Sequence, residues 1–400
     1  MFAHSKGLTF FNLFEFEQNV RNTAQLYIQD NQPGDKTEGD FSLFQSKKIG
    51  MKKIVKQVAG IDVAQKELVV TLGRMYEDWT PELYSHKTFA NTETGFAALV
   101  TWVKKQSVEH TTVRFVMEAT GVYHEKLAYY LSDNGCTLSI VLPNKISNYF
   151  RTLEVKTITD KTACEAIARF GLERQLDDWQ RPAKVFKNLR QLTRERNQLV
   201  EERTMVKNHL HAEQSEAQPN DSSIDRIENR IALLDRQEKE IKQEIAALVK
   251  QHEKVKNTVE LICSLPGVGA LTAVTVLAET NGFELIRNKR QLSSYAGLDV
   301  KEKQSGTSVK GKPRISKKGN KYLRKAMHLP ALAAIRSEDR FKAIFSRLVA
   351  RHGIKMKAAV AVQRKLLEMI YILYKTNTPY NKDYIKKLES DRSHSLNRLA

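Results

Sequence analysis

The sequence predicts an α/β domain, then a long helical hairpin, then a mainly α domain. Three observations predict this order. Short β-rich segments come first and give way to alternating helical and strand patterns, two segments with a heptad repeat follow, and the last third combines amphipathic helical patterns with one strongly basic loop. A chain of 400 residues is long enough for about two or three domains, each with its own core.

The α/β domain is predicted over residues 51–180. It begins with three β-rich segments, VAGIDVA, ELVVTLG and YSHKTFAN. An amphipathic helix follows, TETGFAALVTWVKKQ, and then the strand TVRFVMEA, the helix YHEKLAYYLSDNG and the strand TLSIVLP. Three consecutive strands followed by alternating helices and strands predict a mixed sheet with helices packed on it. This order is the one expected of an RNase H-like fold.

Residues 184–255 carry apolar side chains at alternating steps of three and four, which is the repeat of a coiled coil. Arg196, Arg203 and Glu238 occupy positions along the apolar seam. The polar segment HAEQSEAQPNDSS between the two apolar series predicts a turn. We therefore predict an antiparallel coiled-coil hairpin. A coiled coil with a partner chain, or two surface helices packed on the body of the protein, would give the same pattern.

Residues 258–384 form the predicted mainly α domain. Near its start, LPGVG (residues 265–269) resembles the hairpin of a helix-hairpin-helix element, whose backbone N–H groups hold a phosphate. A simple helix break is the alternative. Between Arg287 and Lys325 the chain has thirteen Lys or Arg residues against two acids, Asp299 and Glu302, which makes this segment the strongest basic patch.

The charge balance is that of a polyanion-binding protein. The chain has 65 Lys and Arg against 46 Asp and Glu, a net charge of +19. Residues 1–50 hold five basic and six acidic side chains, which leaves 60 basic against 40 acidic side chains, or +20, for the rest. The first fifty residues, aromatic and then polar, are predicted to be a disordered arm or an upstream extension, with Met51 as a natural start. Residues 385–400 are predicted to be a basic tail.

The cysteines and the hydropathy pattern exclude several protein classes. Cys136, Cys164 and Cys263 are widely spaced and lack a C-x-x-C pair, which argues against a zinc site and against a disulfide framework. No apolar run approaches the ~18–20 residues that cross a bilayer, and the N-terminus lacks a cleavage pattern after a short apolar stretch. We therefore expect a soluble protein of a reducing, intracellular compartment.

Acidic residues stand at the ends of two predicted strands. Asp62 ends the strand in AGIDVA and Glu118 ends the strand in RFVMEATG. Carboxylates from neighbouring strands can converge on one hard divalent cation such as Mg²⁺, and Asp160, at the start of the helix TDKTACEAIARFG, would add a third. Taken singly, Asp62 could equally close a turn, and Asp160 could be an ordinary first-turn acid of a helix.

Four motifs together carry a family resemblance: GIDVAQKELVV, MEATGVYHEKLAYYLSDNG, TDKTACEAIARFG and YAGLDVKEKQSGTSVKGKPRISKKGNKYLRKAM. In this order they resemble the DEDD-type transposases of the IS110 family of insertion sequences, whose first domain is similar to the Holliday-junction resolvase RuvC. The resemblance extends from Met51 to about Tyr384. It implies a RuvC-like first domain and a C-terminal serine transposase domain.

The family pattern has four acids, the last two of them three residues apart in a TDxxDA helix start. Asp62, Glu118 and Asp160 match the first three and are the implied Mg²⁺ ligands, but Ala163 stands where the fourth acid belongs. Residues three apart on a helix are neighbours, so two acids there could bind one metal together, which a methyl group cannot do. Glu165 lies at i+5 from Asp160 and faces elsewhere. We therefore predict folding and nucleic-acid binding, with weakened or absent catalysis.

The resemblance also implies a nucleophile, Ser305 in KEKQSGTS, whose hydroxyl attacks a DNA phosphate and forms a transient phosphoserine link. A serine hydroxyl needs a base or a metal for this reaction. Basic residues around the serine could orient the phosphate. The predicted nucleic-acid-binding residues are Lys303, Lys310, Lys312, Arg314, Lys317, Lys318 and Arg324. From the residues alone, Ser308 and Ser316 compete with Ser305.

The function implied by the resemblance is Mg²⁺-dependent excision and insertion of a mobile element, with a structured RNA made by the element choosing the DNA sites. A homodimer or homotetramer through the coiled coil, with an active site shared between subunits, is expected, in the bacterial cytoplasm and at the nucleoid when bound to DNA. Two alternatives remain: a junction resolvase in which metals activate water and Ser305 has no role, and a nucleic-acid-binding protein without catalysis, which Ala163 favours.

Overall fold

The computed structural model describes residues 52–383, apart from residues 120, 154, 156, 158, 285, 303, 306–308 and 312, and gives only the backbone of residues 304, 305, 309 and 310. The predictions for residues 1–50 and 385–400 lie outside the described residues. The chain divides into two compact units on either side of the bond between Trp179 and Gln180.

The first unit is built on a five-stranded mixed sheet. Its strands are β1 (Ile54–Val63), β2 (Glu67–Tyr76), β3 (Pro81–Ala90), β4 (Val113–Glu118) and β5 (Leu138–Val141). The order across the sheet is β3-β2-β1-β4-β5. The first three strands pair antiparallel, whereas β4 is parallel to both β1 and β5. This order and these directions are those of the predicted RNase H-type sheet.

Helices cover both faces of this sheet: α1 (Glu93–Gln106), α2 (Glu125–Asp133), α3 (Pro143–Phe150) and α4 (Asp160–Glu173). Alternate residues of β1 point to opposite faces, so Ile61 packs with Phe96 of α1, while Val58 packs with Ile167 of α4. Helix α3, which begins with Pro143, was not predicted. The proline fits the first helical turn because the amide it lacks has no partner there.

The second unit begins with two 31-residue helices, α5 (Lys184–Gln214) and α6 (Asp221–Gln251). Glu238 of α6 pairs with Arg196 and Arg203 of α5, and Arg203 also pairs with Asp235, so the two helices run antiparallel. Asn220 caps α6 by accepting a hydrogen bond from the Ser223 amide. The connection covers residues 215–220 and is shorter than the predicted turn.

The remaining chain is mainly helical. Its helices are α7 (Glu253–Cys263), α8 (Ala270–Glu279), α9 (Lys289–Tyr295), α10 (Lys321–Ala326), α11 (His328–Ser337), α12 (Asp339–His352) and α13 (Lys355–Thr376). Four two-residue strands lie between α9 and α10: β6 (Val300–Lys301), β7 (Gln304–Ser305), β8 (Val309–Lys310) and β9 (Arg314–Ile315). In the described part of the chain, no helix has the length and apolar run that crossing a bilayer requires.

The hairpin and the later helices share one hydrophobic core. Leu189 of α5 and Ile241 of α6 are buried in the same cluster as Ile262, Val276 and Leu366. The division into a hairpin (184–255) and a helical domain (258–384) stays a prediction.

Candidate active site

The strand register places Asp62 and Glu118 side by side. Ile61 of β1 pairs with Met117 of β4, and Asp62 and Glu118 are the next residues of these parallel strands. Residues in register on neighbouring strands, which lie about 4.8 Å apart, point to the same face. Both acids therefore stand at the carboxyl ends of adjacent strands, and both are half-buried.

Helix α4 crosses the same face of the sheet and runs opposite to β1. Gly171 of α4 lies over Val58, and Ala168 lies over Gly60 so closely that a Cβ on Gly60 would come within 2.4 Å of the Ala168 amide nitrogen. Asp62 follows Gly60 by two residues and so faces the helix. The N-terminus of α4 therefore lies at the end of β1 that carries Asp62.

Cys164 fixes the first turns of α4 on the sheet. Its thiol donates to the Gly60 and Val69 carbonyl oxygens, at 3.1 and 3.0 Å, and burial raises the pKa of this thiol to about 12. Thr159 caps the helix through a reciprocal pair of hydrogen bonds with Thr162. Asp160 precedes Cys164 by four residues and shares its face of the helix. This anchoring directs the exposed Asp160 toward Asp62.

The pKa of Asp62 shows that all three acids lie close together. Burial raises the pKa of the Asp62 carboxyl, and the negative charges of Asp160 and Glu118 raise it further. The structure thus brings together the three acids that the sequence analysis singled out.

The three acids offer oxygen donors to a metal ion. Carboxylate oxygens are the donors that Mg²⁺ prefers, and a cation would relieve the repulsion at Asp62, so the chemistry of the donor set fits a hard divalent ion. However, no group of three or more His, Cys, Asp or Glu side chains in the described residues is arranged to hold one ion. Ala163 lies half-buried one turn after Asp160 and supplies no oxygen.

The predicted nucleophile lies on a β-arm of the second unit. Val300 and Lys301 pair with Ile315 and Arg314 at the base of the arm, and Gln304 and Ser305 pair with Lys310 and Val309 farther out. Ser305 thus has a defined backbone position in β7. The side chains of Ser305 and Lys310, and all of Lys303, Ser308 and Lys312, lie outside the described residues.

The competing serine, Ser316, is held in a turn. Its hydroxyl donates to the Asp299 carboxylate, and its amide donates to the Asp299 carbonyl oxygen at 2.8 Å. These contacts close the base of the arm, so Ser316 has a structural task there.

The described cations of the loop fall into two groups. Arg314, Lys317 and Lys318 are exposed. Arg324 is half-buried, and its guanidinium donates to the carbonyl oxygens of Ala296 and Gly319 at 2.8 and 3.2 Å. Arg324 therefore holds the C-terminal end of the loop in place, and a phosphate contact by this residue stays a prediction.

A buried polar network that the sequence analysis missed fixes the same end of the loop. Glu279, 3% exposed, accepts two hydrogen bonds from Arg194 of α5, at 2.7 and 2.8 Å, and one from the Asn320 amide at 2.6 Å. Asn320 also caps α10. The only signal in the sequence is an acid at the end of the apolar segment ALTAVTVLAE, and its partners are 41 and 85 residues away.

The segment LPGVG connects α7 and α8. Gly267 adopts a left-handed conformation (φ 84°), and a Cβ there would lie 2.6 Å from the Pro330 carbonyl oxygen of α11. Gly269, by contrast, is exposed and has open space beside it. The first amides of α8 follow directly. A phosphate-binding helix-hairpin-helix role for this segment stays a prediction.

Comparison with known proteins gives matches in both units. A model of the DEDD-type transposases of IS110 matches residues 59–217, and a model of the transposase family IS116/IS110/IS902 matches residues 259–346. The pilin gene-inverting protein of Moraxella bovis is 29% identical over 307 residues, which are 74% of this chain and 90% of that protein. The transposase for insertion sequence element IS1111A of Coxiella burnetii is 24% identical over 372 residues, which are 85% of this chain and 94% of that protein.

Among solved structures, RuvC of Thermus thermophilus in complex with a Holliday junction substrate matches with 10% identity and a TM-score of 0.24. The match covers 31% of this chain and 99% of that one. The strand order of the sheet, rather than this similarity, identifies the RNase H-type fold.

Proposed function

We propose that this chain is a DNA recombinase of an insertion sequence, as its similarity to the IS110-family transposases supports. We further propose that it excises and inserts its element through a covalent link between Ser305 and DNA. The observation that carries the proposal is that Asp62, Glu118 and Asp160 lie close together, because the charges of Asp160 and Glu118 help to raise the pKa of Asp62. The same chain carries Ser305 on a basic β-arm.

The proposed chemistry is a pair of transesterifications. The Ser305 hydroxyl oxygen forms a bond to phosphorus, the bond from phosphorus to the leaving sugar oxygen breaks, and that oxygen takes up a proton while the serine loses one. Attack by the hydroxyl of a second strand reverses these changes and frees the serine. One ester bond forms for each that breaks, so no oxidant or nucleotide cofactor is needed.

The acids and the cations have separate tasks in this proposal. Asp62, Glu118 and Asp160 would hold Mg²⁺, which when bound supplies a positive charge that polarises a phosphate oxygen. The loop cations Lys303, Lys310, Lys312, Arg314, Lys317 and Lys318 would position the DNA backbone. The exposed amides after Gly269 would hold a further phosphate without reading sequence.

The partners follow from the same proposal. DNA is the substrate, and an RNA made by the element would choose the sites. The helical hairpin would act as a coiled coil that joins subunits in a homo-oligomer. Mass measured in solution, free and on DNA, tests the last point, and a monomer in both states would contradict it.

Replacement of Ser305 separates this function from hydrolysis. We expect Ser305→Ala to abolish strand cleavage and covalent DNA attachment in the presence of Mg²⁺ while nucleic-acid binding persists. Ser308→Ala serves as the matched control and should keep both activities. If Ser305→Ala still cleaves DNA, the enzyme is a hydrolytic resolvase and the serine mechanism is wrong.

Ala163 favours a second function, nucleic-acid binding with impaired catalysis, because its methyl group replaces the fourth oxygen donor. Under this alternative the natural chain binds DNA and shows no cleavage with Mg²⁺, even when Ser305 is present.

A further inference from the structure

An apolar groove lies in the second unit, between the base of the β-arm and helix α13. Its volume is about 680 Å³, within the range of pockets that enclose small organic groups. Its apolar lining includes Leu298, Val300, Ile315, Met356, Val360 and Ala361. The residues contributed by α13 extend from Met356 to Glu368 along one side of the helix, about 18 Å.

The lining of the groove exposes large apolar side chains to water. Val300 is 58% exposed and Met356 is 59% exposed, and Ile354 beside them is 56% exposed. Exposed apolar side chains that cluster inside a rim of polar groups are typical of a binding surface.

Cations stand on both walls of the groove. Arg314 and Lys317 lie on the arm side, and Lys357 and Lys365 lie on the helix side. Glu368 is the acid of the described lining, and it is engaged by Arg364 at 3.0 Å and by the Ser293 hydroxyl at 3.1 Å. The groove therefore suits a ligand that has an apolar body and negative charges on both sides of it.

The groove opens at the root of the arm that carries Ser305. Val300 pairs with Ile315 at this root, and both line the groove. Ser305 is the fourth residue after Lys301, so the Cα atoms of these two residues are at most about 14 Å apart. A nucleic-acid strand held at Ser305 thus passes within a few nucleotides of the groove.

We propose that this groove binds an unpaired nucleobase of a single strand, with the flanking phosphates on Arg314, Lys317, Lys357 and Lys365. A base that has left the duplex has apolar faces that pack against apolar side chains, and its backbone carries a negative charge on each side. The proposal rests on the proposed function for its choice of nucleic acid. An acidic amphipathic protein segment would satisfy the same charge pattern, but it has no reason to lie at the root of the serine arm.

The test uses the full chain carrying Ser305→Ala, in chelator, so that no cleavage intervenes. The probes are a single-stranded oligonucleotide and the same strand with abasic sites. We expect the intact strand to bind about tenfold more tightly than the abasic strand, because a buried base contributes stacking that a bare backbone does not.

Two methionines of similar exposure provide the variant and its control. Met356→Glu places a carboxylate in the groove lining, and Met205→Glu places one on the outer surface of α5, where Met205 is 55% exposed. We expect Met356→Glu to weaken binding of the intact strand about tenfold and binding of the abasic strand much less, through charge repulsion alone, whereas Met205→Glu changes neither by more than about twofold. Ala361→Leu, which fills part of the groove without adding charge or an aromatic face, should weaken binding of the intact strand and leave binding of the abasic strand unchanged.

Equal binding of intact and abasic strands would overturn the proposal. Equal binding of the intact strand by Met356→Glu and Met205→Glu would also overturn it. That result would favour an acidic protein segment as the ligand of the groove. The proposed function fails differently: if base-dependent binding is present but the wild-type serine forms no covalent link, the serine mechanism is wrong and the groove assignment stands.

Discussion

The raised pKa of Asp62 reflects the electrostatics of the acidic site. Its carboxyl is half-buried, and Asp160 and Glu118 add negative charge, so its pKa lies above the ordinary value of 3.8. In the folded chain the ionised form is therefore disfavoured relative to the unfolded chain. The resulting cost is absent at pH values below 3.8 and is fully present once the pH exceeds the raised folded pKa.

This destabilising effect of the ionised Asp62 carboxylate leads to a prediction for Asp62→Asn at neutral pH without metal. The amide removes the buried charge and the repulsion, so we expect the melting temperature in chelator to rise by about 2 °C. Mg²⁺ should stabilise the natural chain and leave Asp62→Asn unaffected, because a ligand stabilises only the folded state that binds it. Calorimetry with and without Mg²⁺ measures both effects.

Glu67→Gln is the control for Asp62→Asn, since Glu67 is an exposed acid at the start of the neighbouring strand β2. It should leave the melting temperature and the response to Mg²⁺ unchanged. A lower melting temperature for Asp62→Asn in chelator would contradict the assigned electrostatics.

Ala163 is the position where we predict that one side chain decides between weak and full catalysis. A carboxylate there would lie one helical turn from Asp160 and complete the donor set. We expect Ala163→Asp to raise Mg²⁺-dependent cleavage about ten- to hundredfold, the range by which changes around a metal site alter activity. Ala163→Asn has the same shape without the charge and should gain much less. Equal cleavage by Ala163→Asp and the natural chain would show that the fourth acid does not matter.

The helical hairpin depends on one buried carboxylate. Burial alone would raise the pKa of Glu238, but hydrogen bonds from Lys242, Arg196 and Arg203 outweigh it and lower the pKa to about 2. The ordinary value is 4.5, so the stabilisation is present above pH 4.5 and is lost as the pH falls from 4.5 to about 2. We expect helical circular dichroism and thermal stability to fall across this window.

Glu238→Gln tests the origin of that pH dependence. It leaves Arg196, Arg203 and Lys242 facing a neutral amide, so we expect a loss of about 3 kcal/mol at neutral pH and a flatter profile below pH 4.5. Asp235→Asn is the control, because Asp235 also pairs with Arg203 but its side chain is 52% exposed, and its loss should stay below about 1 kcal/mol. If Glu238→Gln loses stability below pH 4.5 to the same extent as the natural chain, other carboxylates cause that loss.

The sequence pattern predicted these elements better than it predicted their contacts. The heptad spacing indicated two long helices, and it marked Arg196, Arg203 and Glu238 as polar interruptions. It did not reveal that both arginines pair with Glu238, because pairing depends on how the helices are aligned. Strand ends likewise indicated Asp62 and Glu118, since a strand fixes which residue stands at its end.

The position of Asp160 could not be derived in the same way. It depends on Gly60 allowing α4 to lie against β1 and on the Cys164 thiol reaching two strand carbonyls. Nothing local in the sequence distinguishes that glycine or that cysteine from others. The network of Glu279, Arg194 and Asn320 was missed for the same reason, because its members come from three distant segments.

The cations of the basic loop, in a chain of net charge +19, lead us to expect DNA binding that weakens as salt is added. Each cation that contacts a duplex phosphate adds about 0.9 to the slope of log K against log salt concentration. Arg324 is held by backbone carbonyls, which leaves six of the seven predicted cations for phosphate contacts. If all six make contact, the slope on duplex DNA should be about −5.

Replacing one of these cations tests whether the basic loop, rather than the overall charge, supplies this dependence. We expect Lys318→Gln to weaken DNA binding uniformly across sequences and to reduce the magnitude of the slope by about 0.9. Lys342→Gln removes the same charge from α12, outside the predicted set, and should leave the slope unchanged because net charge alone attracts DNA without releasing a fixed number of counterions. Binding titrations over a range of salt concentrations measure both. The same reduction in both variants would mean that DNA is held by the general positive field of the protein and not by the loop that carries Ser305.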